Sequence, residues 1–452
     1  MVAWSHVFVA GGSQYISFKV WDGCPHGVHG SALEANSPLR RSVAVFSPSE
    51  RSILARSHRH CMRVTDYELY AVPPRWQFLK LETSDGRVGW GEVYTKWHFA
   101  GDSEPATENA VDQLLHQYVL GEDPSRIEYL WQAMYRSSFY RGGPVHMSAI
   151  AGIDEALWDL KGTAAGMSVA ELLGGPARDR IRTYRHVRAH GEDGVSDPAA
   201  AAAAEARDAV EAGYTAVKLI PTGGLEPIDT PATVERARDV VGAVREAIGP
   251  SVDLALDFHG RTSKAMARRL ASSLEAFDPL FIEEPVTPEH DRELTRLAEG
   301  TTAPIATGER LYSRWEFRPI LEADAVDVVQ PDVSSAGGIT ETKKIADMAD
   351  TYDASIAPHC PIGPLALAAS LQIDAVAPNA LIQEQVILDD AAAMRYVEND
   401  GVFDLTDGFL DVPDGPGLGI EIDEDRVREL AGTNLGFDRS PGHRADGSIG
   451  ER

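Results

Sequence analysis

Between Asp257 and Glu384 short apolar runs alternate with longer amphipathic stretches on a regular beat. The runs VDLALD, PLFIE, APIATGE, AVDVVQPD, DASIAPH and ALIQE end on Asp257, Glu283, Glu309, Asp332, His359 and Glu384, at intervals of 26, 26, 23, 27 and 25 residues. A buried strand, a helix and two loops consume about that much chain. The pattern predicts successive parallel strands, each delivering one ionisable residue at its C-terminal end. In a (β/α)8-type barrel those ends converge on one mouth, where catalytic residues sit. A single Asp after a strand is ordinarily a helix N-cap; six such groups on six consecutive strands predict a site.

The strands before this stretch read less regularly. RIRTYRHVRA suits a first barrel strand and YTAVKLI a second, ending near Lys218. Upstream, RVTDYELYAV and RWQFLKLETSD alternate as strands, with Asp85-Gly86 as a turn. Three helical stretches follow, the last being HMSAIAGIDEALWDLKGTAAG. Strands followed by helices form an α+β unit distinct from the barrel. The expected organisation is an extension at 1–61 that is disordered or not part of the domain, and an α+β capping domain at 62–180. The barrel spans 181–390, a segment at 391–434 returns to the cap, and 435–452 form a flexible tail. Met62 opens the first clear strand pattern and could be the natural start.

Composition narrows the function. The chain has 452 residues and 43% apolar content, with 42 basic against 69 acidic residues, a net charge of −27. Such a surface repels phosphates and anionic lipid, so nucleic acid and membrane surfaces are excluded as partners. Eight Lys against 34 Arg in so acidic a chain point to salt adaptation, that is, a halophilic protein in which high salt screens self-repulsion. Cys24, Cys61 and Cys360 are too few for a disulfide framework, no membrane-length apolar run occurs and no signal peptide is legible. These point to the cytoplasm. There is no Walker A loop, no dinucleotide fingerprint and no GxSxG elbow.

Asp257, Glu283 and Glu309 are three carboxylates on adjacent strands. Close anions need a cation, and an all-oxygen set suits a hard one, Mg²⁺ first. Asp332 and His359 lie on the next two strands. A carboxylate on one imidazole nitrogen fixes the tautomer and makes the other nitrogen a general base. His259 follows Asp257 by two residues, so strand alternation would point it to the same side, roughly across from His359. It could be a fourth ligand, a packing residue or a general acid. Glu384, if protonated, could hydrogen-bond a substrate carboxylate. With a divalent cation holding an acid's carboxylate and a His taking its α-proton, an enediolate would form. If the β-carbon bears a hydroxyl, the opposite acid could expel it as water.

With those residues in place, the chain from Met62 to about residue 425 resembles the enolase superfamily, mandelate racemase subgroup, and within it the D-galactonate dehydratase family. The resemblance rests on GWGE, FYRGGP and SAIAGIDEALWDLKG in the cap, and on LDFHG, IEEP, ATGER, QPD, APHCPIGPLALAAS and IQE in order along the barrel. It implies an α+β cap over a (β/α)7β TIM-like barrel. It implies Mg²⁺ on Asp257, Glu283 and Glu309, His359 with Asp332 as base, His259 as the acid that expels the 3-hydroxyl, and Glu384 stabilising the enolate. The product would be a 2-keto-3-deoxy sugar acid, from D-galactonate or, by the same chemistry, D-gluconate or D-xylonate. Relatives often form octamers, so a homo-oligomer is expected. Strand 2 reads Lys218-Leu219-Ile220-Pro221, where racemases carry Lys-x-Lys and galactonate dehydratases usually Lys-x-Asn. The second base is therefore missing, and a polar group near the pocket is replaced by Ile220. Lys218 and the cap residues Trp97 and His98 are expected to touch substrate.

Overall fold

The computed structural model describes residues 5–10, 13–18, 62–94, 104–187, 197–388, 394–399, 401–432, 442–444 and 446–451. Trp97 and His98 lie outside these, as does most of 1–61. The chain divides into two units, Met1–His60 and Cys61–Arg452. In the first, β1 (Ser5–Ala10) and β2 (Ser13–Phe18) pair as an antiparallel hairpin, so this part of the extension has regular structure.

The second unit opens with an antiparallel sheet of β3 (Val64–Val72), β4 (Trp76–Thr83) and β5 (Val88–Glu92). Three helices follow: α1 (Glu104–Leu114), α2 (Ile127–Ser137) and α3 (Pro144–Ala165). Along α3 nearly every residue from Met147 to Leu160 is buried. A helix apolar or small all round is one covered on all sides. One side lies on β5, where Gly89 and Gly91 meet Gly152 and Ala156 backbone to backbone. The other faces barrel residues. Trp158 Nε1 donates to Thr340 Oγ1 at 2.9 Å, and beside it Trp131 Nε1 of α2 donates to the Gly337 carbonyl at 2.7 Å. Asp154 accepts from the Thr340 amide and hydroxyl at 2.8 and 2.6 Å.

The barrel sheet is parallel and sequential: β7 (Arg185–Val187), β8 (Ala216–Leu219), β9 (Asp253–Asp257), β10 (Ile282–Glu283), β11 (Ile305–Thr307), β12 (Val328–Val329) and β13 (Ser355–Ile356). Residues 380–383 close it, bridging Ile356 through Ala380 and Thr183 through Gln383. Just before β7, β6 (Arg180–Arg182) pairs antiparallel with β14 (Phe409–Asp411). The outer helices are α4 (Pro198–Glu211), α5 (Pro231–Ile248), α6 (Lys264–Leu274), α7 (Leu294–Ala298), α8 (Arg314–Glu322), α9 (Gly338–Thr351) and α10 (Pro364–Val376). Inside the barrel, Tyr184, Ala216, Ala255, Phe281, Ala306, Val328, Ala357 and Ile382 form one apolar layer, one residue from each strand position. Such a layer makes the barrel a packed core and gives the site a floor.

The chain then returns to the cap sheet. In α11 (Glu424–Leu430), Glu424 takes Lys80 Nζ at 2.7 Å and Arg428 pairs with Glu68 on β3. The Gly432 amide donates to the Ala71 carbonyl at 2.9 Å. Residues 442–450, expected to be a flexible tail, carry a short hairpin, β15 (Gly442–His443) with β16 (Ile449–Gly450).

Candidate active site

Side chains on a strand alternate, so the residue two past each floor residue faces the same interior one step higher. Those residues are His186, Lys218, Asp257, Glu283, Gly308, Gln330, His359 and Glu384. Five of the expected site residues are therefore a single layer on the floor. The other expected barrel residues, His259, Glu309 and Asp332, lie one or two residues beyond it.

Asp257 and Glu283 sit side by side, paired in the register of β9 and β10. Burial pushes them up, Asp257 to about 7 and Glu283 to about 8, against the pull of Lys218. Lys218 Nζ lies 2.8 and 2.9 Å from the two Glu283 oxygens and 2.6 Å from Glu384 Oε1. Burial would lower Lys218, but Glu283 and Glu384 raise it well above its ordinary value. Gln330 Nε2 also donates to Glu283, at 2.9 Å. The next carboxylate, Glu284, is held in a left-handed conformation. It accepts from Thr307 Oγ1, the Gly308 amide and Arg310, so it ties the end of β10 to the turn that presents Glu309.

Asp332 and His359 meet as the sequence leads one to expect. Asp332 Oδ2 is 2.8 Å from His359 Nδ1, and its Oδ1 accepts the Ser334 amide at 2.8 Å. Ser334 Oγ in turn donates to Glu155 of α3 at 3.0 Å, linking the dyad to the cap. His359 Nε2 points at Glu309 Oε2, 2.7 Å away. Burial would lower His359, but Glu309, Glu384 and the bond to Asp332 raise it well above its ordinary value. Burial acts upward on Glu309, and the adjoining His359 overcomes it, holding the carboxyl well below the usual range. In this arrangement the Glu309 carboxylate occupies the His359 nitrogen that Asp332 leaves open.

His259 reaches the site by a different route from the one expected. The strand ends at Asp257, and His259 has φ +53°, so it is placed by a left-handed turn and not by strand alternation. Its amide donates to Asp257 Oδ1 at 2.6 Å, and its Nδ1 accepts from Arg261 Nε at 3.1 Å. That bond leaves the ring proton on Nε2. Burial lowers His259 to about 4, outweighing the opposite pull of Glu309, so the ring is neutral near pH 7.

Glu384 does not meet the condition, protonation, under which it could donate to a substrate carboxylate. Its Oε1 is 2.8 Å from His186 Nε2 as well as 2.6 Å from Lys218, and its Oε2 accepts the Cys360 amide at 2.8 Å. Burial opposes ionisation, but Lys218, His359 and His186 hold the carboxyl well below its ordinary value. Glu384 therefore accepts the Cys360 amide, and the side chains in polar contact with it at this end are Lys218 and His186. His186 and Gln330 were not singled out in the sequence, although both lie two residues past a floor residue.

Among the described residues no three His, Cys, Asp or Glu side chains are gathered as a metal-binding group. Glu309 faces His359 and Glu283 faces Lys218, which departs from three carboxylates converging on one ion. The donor chemistry nevertheless fits a hard divalent cation. Asp257 and Glu283 are 4% and 2% exposed, both are raised by burial, and neighbouring strands present all three acids. A hard cation bound among these buried carboxylates would relieve the burial that raises Asp257 and Glu283.

The family described as "Mandelate racemase / muconate lactonizing enzyme, N-terminal domain" matches residues 74–174, and "Enolase C-terminal domain-like" matches 201–426. Among similar curated proteins, a D-galactonate dehydratase of Ralstonia pickettii (strain 12J) is 46% identical over 395 residues, 86% of this chain and all of that one. A D-galactonate dehydratase of Variovorax paradoxus (strain S110) is 45% identical over 397 residues, with the same coverage. Among solved structures, a mandelate racemase/muconate lactonizing enzyme from Sulfitobacter sp. superposes with TM-score 0.77 at 31% identity, covering 84% of this chain and 98% of that one. An enolase superfamily member from Salmonella Typhimurium gives 0.76 at 30% identity, covering 81% and 98%. A strand-end carboxylate series, a His–Asp dyad and a cap docked through α3 thus coincide with similarity along both parts of the chain, which belongs to the enolase superfamily, in its mandelate racemase/muconate lactonizing branch.

Proposed function

We propose that the chain is a hydro-lyase that dehydrates a sugar acid, D-galactonate first, to 2-dehydro-3-deoxy-D-galactonate and water. The observation that carries this is the Asp332–His359 dyad, bonded at 2.8 Å, on the same mouth as Asp257, Glu283 and Glu309. Mg²⁺, held by those three carboxylates, would supply the positive charge that acidifies the α-proton. His359 Nε2, once Glu309 turns from it, takes the C2 proton, while Asp332 on Nδ1 holds the ring in the tautomer that accepts it. Lys218, ordered by Glu384, lies at the end where charge develops on the acid's carboxylate oxygens. His259, once it has taken up a second ring proton, would give its Nε2 proton to the departing 3-hydroxyl and be left as the neutral ring. The C3–O bond breaks, water leaves, and the resulting enol becomes the 2-keto acid. Racemisation is disfavoured, because Lys218 stands alone on strand 2 and is tied between two carboxylates. D-Gluconate and D-xylonate share the C2 and C3 configurations of D-galactonate, so they are alternative substrates by the same chemistry.

The same reading makes the protein cytoplasmic and homo-oligomeric. A buried free Cys360 supports the first, and the exposed pair Phe139 and Tyr140, 92% and 91% accessible on the cap, supports the second. No helix among the described residues is long and apolar enough to cross a membrane.

The test is a panel of D-galactonate, D-gluconate, D-xylonate and D-mannonate, with detection of the 2-keto-3-deoxy product, in Mg²⁺ and in excess EDTA. The three 2R acids should react to graded extents, and EDTA should abolish turnover until Mg²⁺ is restored. Mannonate, which is 2S, presents its α-proton away from His359. If mannonate is the best substrate, or if EDTA leaves full activity, the reading fails.

A further inference from the structure

Of the eight positions in the layer above the barrel floor, strand 1's is filled by His186. Nothing in the mechanism above uses it. In the register of β7 with β8 it stands beside Lys218, and both side chains reach the same oxygen, Glu384 Oε1, at 2.8 and 2.6 Å. The other Glu384 oxygen is held by the Cys360 amide at 2.8 Å and is 3.9 Å from His359 Nε2. Below, the Tyr184 ring lies 5.7 Å from the imidazole and 5.2 Å from Lys218 Nζ. Tyr184 is fully buried, so the imidazole cannot sink into the floor and must lean across to strand 8.

We infer that His186 is a positioning residue for the dehydration, clamping Glu384 so that Lys218 stays aimed at the carboxylate end of the sugar acid. This rests on the proposed function for its kinetic consequence, but the clamp itself does not. Both Glu283 oxygens are taken up by Lys218, at 2.8 and 2.9 Å, so a cation held by that carboxylate would compete with Lys218 for it. Lys218 would then depend on Glu384 alone for orientation. A Glu384 with a single cationic partner could follow Lys218 as it moves. A second polar contact from strand 1, on the opposite flank of strand 2 from Glu283, holds the carboxylate in place. Accessibility agrees with a clamp at the edge of the site. The His186 side chain is 21% exposed, against 2% each for Lys218 and Glu384, so the imidazole is the outermost of the three.

The contact is made through Nε2, and this makes the test selective. A glutamine places its amide nitrogen near the Nε2 position, whereas asparagine falls short and leucine has no donor. His186→Leu and His186→Asn should lower kcat about 30-fold or more, with KM within about threefold. His186→Gln should stay within about fivefold of wild type, because the lost interaction serves the transition state more than substrate binding. All three should melt within about 2 °C of wild type, since surface-edge substitutions rarely cost more. Equal activity in all three variants, or losses that follow their melting temperatures, would overturn the inference. A second measurement needs no turnover. With histidine-selective ¹⁵N labelling, the His186 ring signal, identified by its absence in His186→Leu, should move on Glu384→Gln in substrate-free protein. An unmoved signal would overturn the clamp. Wild-type protein inert towards the whole aldonate panel would instead refute the function while the labelled spectra still decide the clamp.

Discussion

Gly91 on β5 has an ordinary strand backbone, yet a methyl group there has nowhere to go. Its Cβ would stand 2.1 Å from the Gly152 carbonyl oxygen and 2.9 Å from the Ala156 amide nitrogen, both backbone atoms of α3. Real Cβ contacts essentially never fall below 3.0 Å, so helix and strand must part by about 1 Å in Gly91→Ala. Two bonds cross that seam, Trp90 N to Asp159 and Glu92 N to Glu155, each 2.8 Å. Opening them by about 1 Å takes both beyond hydrogen-bond range. Overpacking costs about 1–3 kcal/mol, and each of the two buried bonds lost costs about 1–3 kcal/mol, so the total should be roughly 3–9 kcal/mol. The control is Gly86→Ala in the preceding turn, where φ is +82° and no atom lies within 4 Å. It should cost only about 1–2 kcal/mol of backbone strain. The assay is chemical denaturation of both variants beside wild type. The folded fraction of Gly91→Ala should also turn over more slowly, because Glu92 caps α10 through the Gly363 and Ala366 amides and Glu155 leads through Ser334 to Asp332. If Gly91→Ala is no less stable than Gly86→Ala, the close-packing argument for this seam is wrong.

The two histidines should separate kinetically. His359→Asn should lose both α-proton exchange and dehydration, whereas His259→Asn should lose dehydration and partly recover with a 3-fluoro acid, since fluoride needs less help from a proton donor; equal loss on both substrates would remove His259 from the acid role. Glu68 is held down to about 2, chiefly by the Arg428 guanidinium and the Tyr70 hydroxyl. Its folded-state pKa lies below the unfolded value, so this contribution to stability is present above pH about 4.5 and is lost as pH falls toward about 2. Arg428→Ala should therefore lower the melting temperature at pH 7, matter progressively less below pH about 4.5, and cease to matter only below pH about 2; a penalty independent of pH would mean that packing of α11, not charge, is what the substitution removes. Finally, the melting temperature should rise from dilute buffer to molar KCl as the net charge of −27 is screened, and a flat or falling curve would count against salt adaptation.

The barrel and most of its site could be read from the chain because a charged residue marked six strand ends. Asp257, Glu283, Asp332, His359 and Glu384 stand where that spacing placed them, on or next to the layer above the floor. Strand 1 bears no such mark. RTYRHVRA mixes arginines with the one residue that matters there, and it is the place of Tyr184 in the floor layer, with the contact of His186 to Glu384, that shows His186 facing inward. Gln330 was hidden because an amide gives no charge signal. His259 was assigned to the right neighbourhood by an argument that did not apply, since the strand had already ended. The ionised state of Glu384 depends on partners from strands 1 and 2, far apart in sequence, and no local pattern could disclose it. In the cap, the all-round burial of α3 was foreshadowed by its run of small and apolar residues, but its two-sided bonding through Asp154, Glu155 and Asp159 was not.

That bonding bears on how a molecule gets in and out. Asp159 and Glu155 hold β5, while Asp154 and Glu155 hold Thr340 and Ser334 on the barrel side. One helix is thus shared by the two halves of the enzyme, with Glu155 bonded to both. A hinge that swung the cap open as a rigid body would have to break buried carboxylate bonds on one face of α3 or the other. Admission of substrate and release of product must then be local events at the rim, and their rates should be insensitive to agents that merely loosen domain contacts. The same sharing ties the fate of the two halves together on heating. Partial unfolding that frees the cap alone would strip Asp332 of its link to Glu155, so loss of the cap and loss of an ordered dyad should be a single thermal transition.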